Sequence, residues 1–176
     1  MFISRGNNGI CALALVLALV LVGVGWAQTI KPTSPDHAIL YKRAVSLLDQ
    51  AQQKLNTGNL SMAKSQAKEA NSLFTLLKNQ YSSVLAEHEL TPQEEQQLAI
   101  NQKLATDAHT QADRLMEAAT TKDKKAQELE AQGREADSRA SYQQSKDEYN
   151  RAQNLYIKSS IYALRNQQRV FRFLAP

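Results

Sequence analysis

The stretch that decides the fold is AQELEAQGREADSRA, residues 126–140, because it contains the only glycine between Gln93 and Ala175. No proline occurs in those 83 residues. The run is therefore either one helical rod about 120 Å long or two helices that fold back at Gly133. Glycine suits the left-handed backbone conformation that ends many helices. We expect a turn at Gly133, with the single rod as the alternative.

The spacing of apolar residues around Gly133 favours the turn. Two antiparallel helices in contact bring together positions whose residue numbers add to a nearly constant value. Between Glu117 and Ser141 the only apolar side chain larger than alanine is Leu129, so this end should project as an alanine-lined prong. Six apolar pairs give sums of 264–266: Leu129 with Ala136, Ala126 with Ala140, Leu115 with Tyr149, Ala112 with Ala152, Ala108 with Tyr156 and Leu104 with Ile161.

An earlier glycine, Gly58, predicts a first hairpin of the same kind. Asp36 is the expected cap of its first helix, and its second helix should run unbroken over residues 60–84. Five apolar pairs add to 118: Leu55 with Ala63, Ala51 with Ala67, Leu48 with Ala70, Ala44 with Phe74 and Tyr41 with Leu77.

The segment LTPQE, residues 90–94, predicts a helix start between the hairpins. Thr91 can cap the helix, Pro92 fits the first helical position, and Glu94 completes a capping box. Glycine and proline are too scarce after residue 27 for the frequent turns of a β fold. We therefore expect an all-α fold, with antiparallel hairpins at 36–89 and 91–175 packed as an elongated bundle in a single domain, residues 36–176.

Residues 1–27 have the pattern of a secretory signal peptide. Arg5 precedes an apolar run over residues 10–24, and small residues precede a cleavage point near Ala27. The apolar run is shorter than the roughly 20 residues of a membrane span, although retention as an anchor is the alternative. Cleavage would leave a flexible leader, residues 28–35, and a periplasmic or secreted protein. The lone cysteine, Cys11, lies within the signal.

Charge is divided along the remaining chain. Net charges are +4 over residues 28–86, −6 over 87–150 and +5 over 151–176. The final block is either a solvated face paired with the acidic block or a docking surface for an acidic partner or anionic lipid head groups. Export argues against nucleic acid. The candidate partner-binding residues are Arg165, Arg169, Arg172, Phe171, Phe173 and Tyr162.

No residue pattern predicts catalysis, a metal site or a cofactor. A metal site on a helix usually needs two histidines four residues apart together with a carboxylate. The three histidines, His37, His88 and His109, each stand alone and form no such pair. The sequence also lacks a glycine-rich phosphate loop, and no cysteine follows residue 27. We expect a protein that is not an enzyme.

The segment GNLSMAKSQAKEA, residues 58–70, resembles the second helix of a tetratricopeptide-type repeat. Leu47, Ala51 and Leu55 fall where the first helix of such a repeat places its packing residues. Around Gly133 the match is weaker, and the spacing of the two glycines does not fit regular repeats. The resemblance implies a helical-hairpin interaction module. It favours an exported scaffold or adaptor that binds a protein partner in the cell envelope, and the small apolar content also favours self-association.

Leu90 and Thr91, with Gln96 and Gln97, resemble the L-T-x-x-Q signature of small basic periplasmic chaperones. The signature occurs once here, and Glu94 stands where that family has glutamine. The resemblance implies an alternative function, that of a holdase-type chaperone.

Overall fold

The computed structural model describes residues 35–87 and 90–175, and these residues contain no strand. The all-α prediction is confirmed. In chain order the helices are α1 (Pro35–Asn56), α2 (Leu60–Gln80), α3 (Ser82–Glu87), α4 (Pro92–Ala131) and α5 (Glu135–Val170), followed by a 3₁₀ turn (Arg172–Leu174).

Both predicted hairpin turns are present. Gly58 and Gly133 have φ angles of 76° and 73°, in the left-handed region that disfavours side chains. At each turn the glycine N–H bonds to the carbonyl three residues back, and the following N–H bonds to the carbonyl five residues back. This is the Schellman arrangement, which satisfies carbonyls at a helix end. The residues around Gly133 therefore form a hairpin and not a continuous rod.

The first hairpin packs as predicted, because the ten residues of the five apolar pairs are all buried. We call such a row of buried contact residues between two helices a seam. The ends of the hairpin differ slightly from the prediction. Helix α1 begins at Pro35, so Asp36 lies within the first turn. Helix α2 ends at Gln80 and not near residue 84, and the short α3 follows after Tyr81. Ser82 and Ser83 follow this break, and serine side chains compete for backbone hydrogen bonds. The buried Tyr81 hydroxyl lies 2.5 Å from the His37 Nδ1.

The C-terminal half of α5 packs against the first hairpin. Ile157, Ile161 and Leu164 join the α1–α2 core, as do Phe171 and Leu174 beyond the helix. The same half of α5 also contacts α4 on another side, so its residues 165–170 are at least partly buried. Helix α4 contributes no residue to this core among the described residues. Helix α5 therefore pairs with α4 in the second hairpin and also packs against the first hairpin, which joins the two.

The other half of the second hairpin extends beyond this core. Residues 108–131 of α4 and 135–156 of α5 make up this segment, which we call the prong and which is about 33 Å long. Its α4 side buries alanine at every seventh position, a coiled-coil spacing, in Ala112, Ala119 and Ala126. The elongated bundle with a projecting prong is thus present.

The face of α5 that meets α4 near the prong tip differs from the prediction. Ala136 and Ala140 are exposed, as is Leu104 lower on α4, whereas Ser138, Ser141 and Ser145 are buried. The physical reason is that serine side chains are short enough for the close helix contact, and the hydroxyls of Ser141 and Ser145 donate to α4 carbonyl oxygens. The bonds along α5 are Ser141 Oγ to Lys122 O (3.0 Å), Ser145 Oγ to Ala119 O (2.9 Å), Ser159 Oγ to Ala105 O (2.8 Å) and Asn166 Nδ2 to Leu98 O (3.0 Å).

These four bonds join residues whose numbers add to 263 or 264, which agrees with the predicted register of the hairpin. The alanine pairing at the tip was wrong because the prediction counted apolar residues only.

The predicted signal, residues 1–27, and most of the leader, residues 28–34, lie outside the described residues. Within the described part of the chain, no helix combines the length and the apolar character that crossing a bilayer requires.

The contact face between α4 and α5 in the prong can be tested by replacing two alanines, one at a time, with leucine. Ala126 is fully buried and Ala140 is exposed, although apolar spacing alone pairs them. We expect A126L to lower the free energy of unfolding by about 1–3 kcal/mol because the close helix contact has no room for leucine. A140L should change it by less than about 0.5 kcal/mol. Urea denaturation followed by circular dichroism measures both, and equal effects would contradict this seam.

Candidate binding cleft

The structure brings four of the six predicted partner-binding residues together. Tyr162, Arg165, Arg169 and Arg172 line one cavity of about 390 Å³. This volume lies in the range of sites that hold small ligands or short peptide segments. We call the cavity the cationic cleft. Among the described residues, its lining is Tyr41, Gln52, Asn101, Ile161, Tyr162, Arg165, Gln168, Arg169 and Arg172.

The two predicted phenylalanines lie elsewhere. Phe171 is only 2% exposed and stacks on Phe74, with ring centroids 6.2 Å apart and planes 13° from parallel. Phe173 is partly buried against the same core and makes an edge contact with Tyr81. Phe171 thus holds the C-terminal segment in place, and its ring is not available to a partner.

Helical spacing places the three arginines on one side of α5 and the turn that follows it. Arg165 is held in position, because its Nη1 lies 2.8 Å from Asp49 Oδ1 and donates to Gln168 Oε1 at 2.8 Å. Its side chain is 28% exposed. Arg169 and Arg172 form no ion pair with any residue in the described ranges. The cleft wall therefore carries about two positive charges that no described carboxylate offsets by direct contact.

Tyr41 fixes the opposite wall of the cleft, which belongs to α1. Its hydroxyl donates to the Gln168 carbonyl oxygen at 3.0 Å and so ties α1 to α5. Burial raises the pKa of Tyr41, and the positive charge of Arg172 opposes part of that rise. Burial is the larger effect, so the hydroxyl remains protonated and continues to donate at neutral pH.

Five cleft residues were not predicted as site residues: Tyr41 and Ile161 were assigned to packing between helices, and Gln52, Asn101 and Gln168 were not singled out. Asn101 is 8% exposed on the α4 seam, one heptad before the buried Ala108. A polar residue at an otherwise apolar seam position was a signal that could have identified it. Gln52 and Gln168 carried no such signal, because glutamine is common on exposed helix faces.

The described lining of the cleft offers hydrogen-bond donors that suit an anion. These donors are guanidinium groups and amides, and the lining residues within the described ranges include no cysteine, serine, histidine or carboxylate. Nowhere in the described ranges do three or more potential metal ligands come together. His37 contacts Tyr81, His109 lies on the prong, and His88 lies outside the described residues.

A second polar cluster lies on the prong. The Tyr156 hydroxyl donates to Asp113 Oδ1 at 2.6 Å, and the His109 ring makes an edge contact with the Tyr156 ring. His109 Nε2 lies 3.8 Å from Asp113 Oδ2. The hydrogen bond to Asp113, with a smaller contribution from burial, raises the pKa of Tyr156 to about 12. The cluster joins α4 to α5 on the outer side of the serine and alanine seam.

No protein-family model matches this chain, and no curated protein or solved structure is significantly similar to it.

The polar cluster of Tyr156, Asp113 and His109 predicts how the stability of the protein depends on pH. Because Tyr156 has a raised pKa in the folded state, the unfolded chain releases the phenolic proton first as pH rises. The contribution of this hydrogen bond to stability should be complete below pH about 10 and be lost between about 10 and 12. D113N should move the Tyr156 transition back towards 10, measured by phenolate absorbance with Y156F to assign the signal. An unchanged titration in D113N would contradict the hydrogen bond.

Proposed function

We propose that this protein is a non-enzymatic, exported helical scaffold or adaptor that binds a protein partner in the cell envelope. The observation that carries the proposal is the cationic cleft, where Arg169 and Arg172 form no ion pair with a described residue. Each guanidinium presents a planar set of donors that matches a carboxylate. A cleft of this kind is suited to recognise a partner that supplies acidic groups.

The architecture supports an adaptor, because it separates two surfaces. The cationic cleft lies where α1, α4 and α5 meet, whereas the prong extends about 33 Å away with mostly polar exposed residues. The resemblance of the first hairpin to a tetratricopeptide-type repeat adds to the same proposal. Two further partners belong to the proposal: a second copy of this chain, which the small apolar content favours, and an anionic membrane surface, which the basic C-terminal segment favours. Export disfavours nucleic acid as a partner.

A holdase-type chaperone is the second candidate, and one observation favours it. Within residues 35–87 and 90–175, five large apolar side chains are at least 38% exposed, and exposed apolar groups can bind unfolded clients. They are distributed over α1, α2 and α4 and are Ile39, Met62, Leu76, Ile100 and Leu104. The L-T-x-x-Q resemblance supports the same alternative.

The two functions predict different binding behaviour. For an adaptor, crosslinking the purified protein in envelope extracts of its source should recover one partner at a saturable, defined stoichiometry, which excess unlabelled protein competes away. For a chaperone, substoichiometric protein should suppress the aggregation of an unrelated unfolded client. Suppression of aggregation together with a broad, non-saturable set of crosslinked proteins would contradict the adaptor.

A further inference from the structure

We propose that the cationic cleft binds an extended acidic peptide segment, with carboxylates at alternate residues contacting Arg165, Arg169 and Arg172. This inference rests on the proposed function, since it names the part of the protein partner that the cleft recognises. It adds the chemistry and the conformation of that part.

The net charge of the cleft supports an anionic ligand. Helix α5 ends beside the cleft, and its macrodipole places about half a negative charge there. Two guanidinium groups exceed this charge, and Asp49 offsets only Arg165. Helix α4 runs antiparallel to α5 and begins at Pro92, so its positive end lies at the same end of the bundle. The cleft therefore remains positive.

The spacing of the arginines fits an extended chain. Arg165 and Arg169 are one helical turn apart, a rise of about 6 Å along α5. Alternate side chains of an extended peptide lie on the same side at about 6.6 Å intervals. From Ile161 to Val170, where α5 ends, the helix rises about 14 Å, close to the roughly 13 Å between the first and third of three alternate residues in an extended chain.

The remaining lining residues suit a peptide backbone. Gln52 and Asn101 provide amide groups that can both donate to and accept from peptide groups. Tyr162 and Ile161 provide apolar surface between the charges. Membrane head groups fit less well, because Arg165 is only 28% exposed and already pairs with Asp49, so a flat anionic layer would contact mainly Arg169 and Arg172.

The test uses dye-labelled, end-blocked seven-residue peptides and fluorescence anisotropy with the full chain. One peptide has aspartates at three alternate positions separated by serines. A second has the three aspartates consecutive, and a third replaces each aspartate by asparagine. We expect the alternate peptide to bind several-fold more tightly than the consecutive one and at least about tenfold more tightly than the asparagine peptide. Equal binding of the acidic and asparagine peptides would overturn the inference.

Paired variants locate the site. The double variant R169Q/R172Q should bind the alternate peptide at least about tenfold more weakly than wild type does. The matched control, R134Q with R139Q, removes the same charge from exposed positions near the prong tip and should weaken this binding less than about twofold. R169K keeps the charge but loses the planar fork, and should fall between these results. Equal weakening by both double variants would overturn the cleft as the site. Circular dichroism checks that each variant is folded.

Two further measurements separate this inference from the proposed function. Binding to vesicles of anionic phosphatidylglycerol, without binding to any acidic peptide, would overturn the inference in favour of a membrane ligand. A protein partner recovered equally by wild type and by R169Q/R172Q would overturn the inference and leave the adaptor intact. Peptide binding that depends on the cleft, with no partner recovered from the envelope, would support the inference and contradict the adaptor.

Discussion

The packing of the last turns of α5 against the first hairpin is the interaction on which the rest of the structure depends. Phe171 and Phe74 are both almost fully buried and stack on one another, and burial of each ring contributes about 1.5–3 kcal/mol. This contact sets the position of the neighbouring Arg169 and Arg172. It also fixes the direction in which the prong leaves the core. The position of the cationic cleft therefore depends on this packing contact.

The prong is held together by close helix contact and side-chain hydrogen bonds more than by burial of large apolar side chains. Alanine and serine allow α4 and α5 to approach closely, but they bury little apolar surface. Each serine hydroxyl bond to an α4 carbonyl contributes about 1 kcal/mol net. These bonds have strict geometry, so they define the register of the two helices more than they stabilise them. The prong tip should accordingly open more easily than the core.

Much of the fold was predictable because it depends on local chemistry. The glycines at both turns, the capping box at Thr91 and Glu94, and the ten-residue seam of the first hairpin all follow from spacing and residue type. The tip of the second hairpin was not predictable from apolar spacing, because buried serines look polar in the sequence.

The candidate site was predictable only in part. A basic helix end is visible in the sequence, and three of its arginines do share one cleft. The sequence does not show which aromatic residues of that segment point into the core, because this depends on where α5 meets α1 and α2. In the structure Phe171 lies in the core. The cleft is lined instead by Tyr41, which stands 124 residues before Arg165 in the sequence.

Amide hydrogen exchange followed by mass spectrometry tests most directly whether packing of α5 on the first hairpin organises the molecule. We expect the slowest exchange over residues 157–170 and in α2, and clearly faster exchange over residues 120–145 of the prong. Fast exchange over residues 157–170, or uniform protection along all of α5, would contradict it.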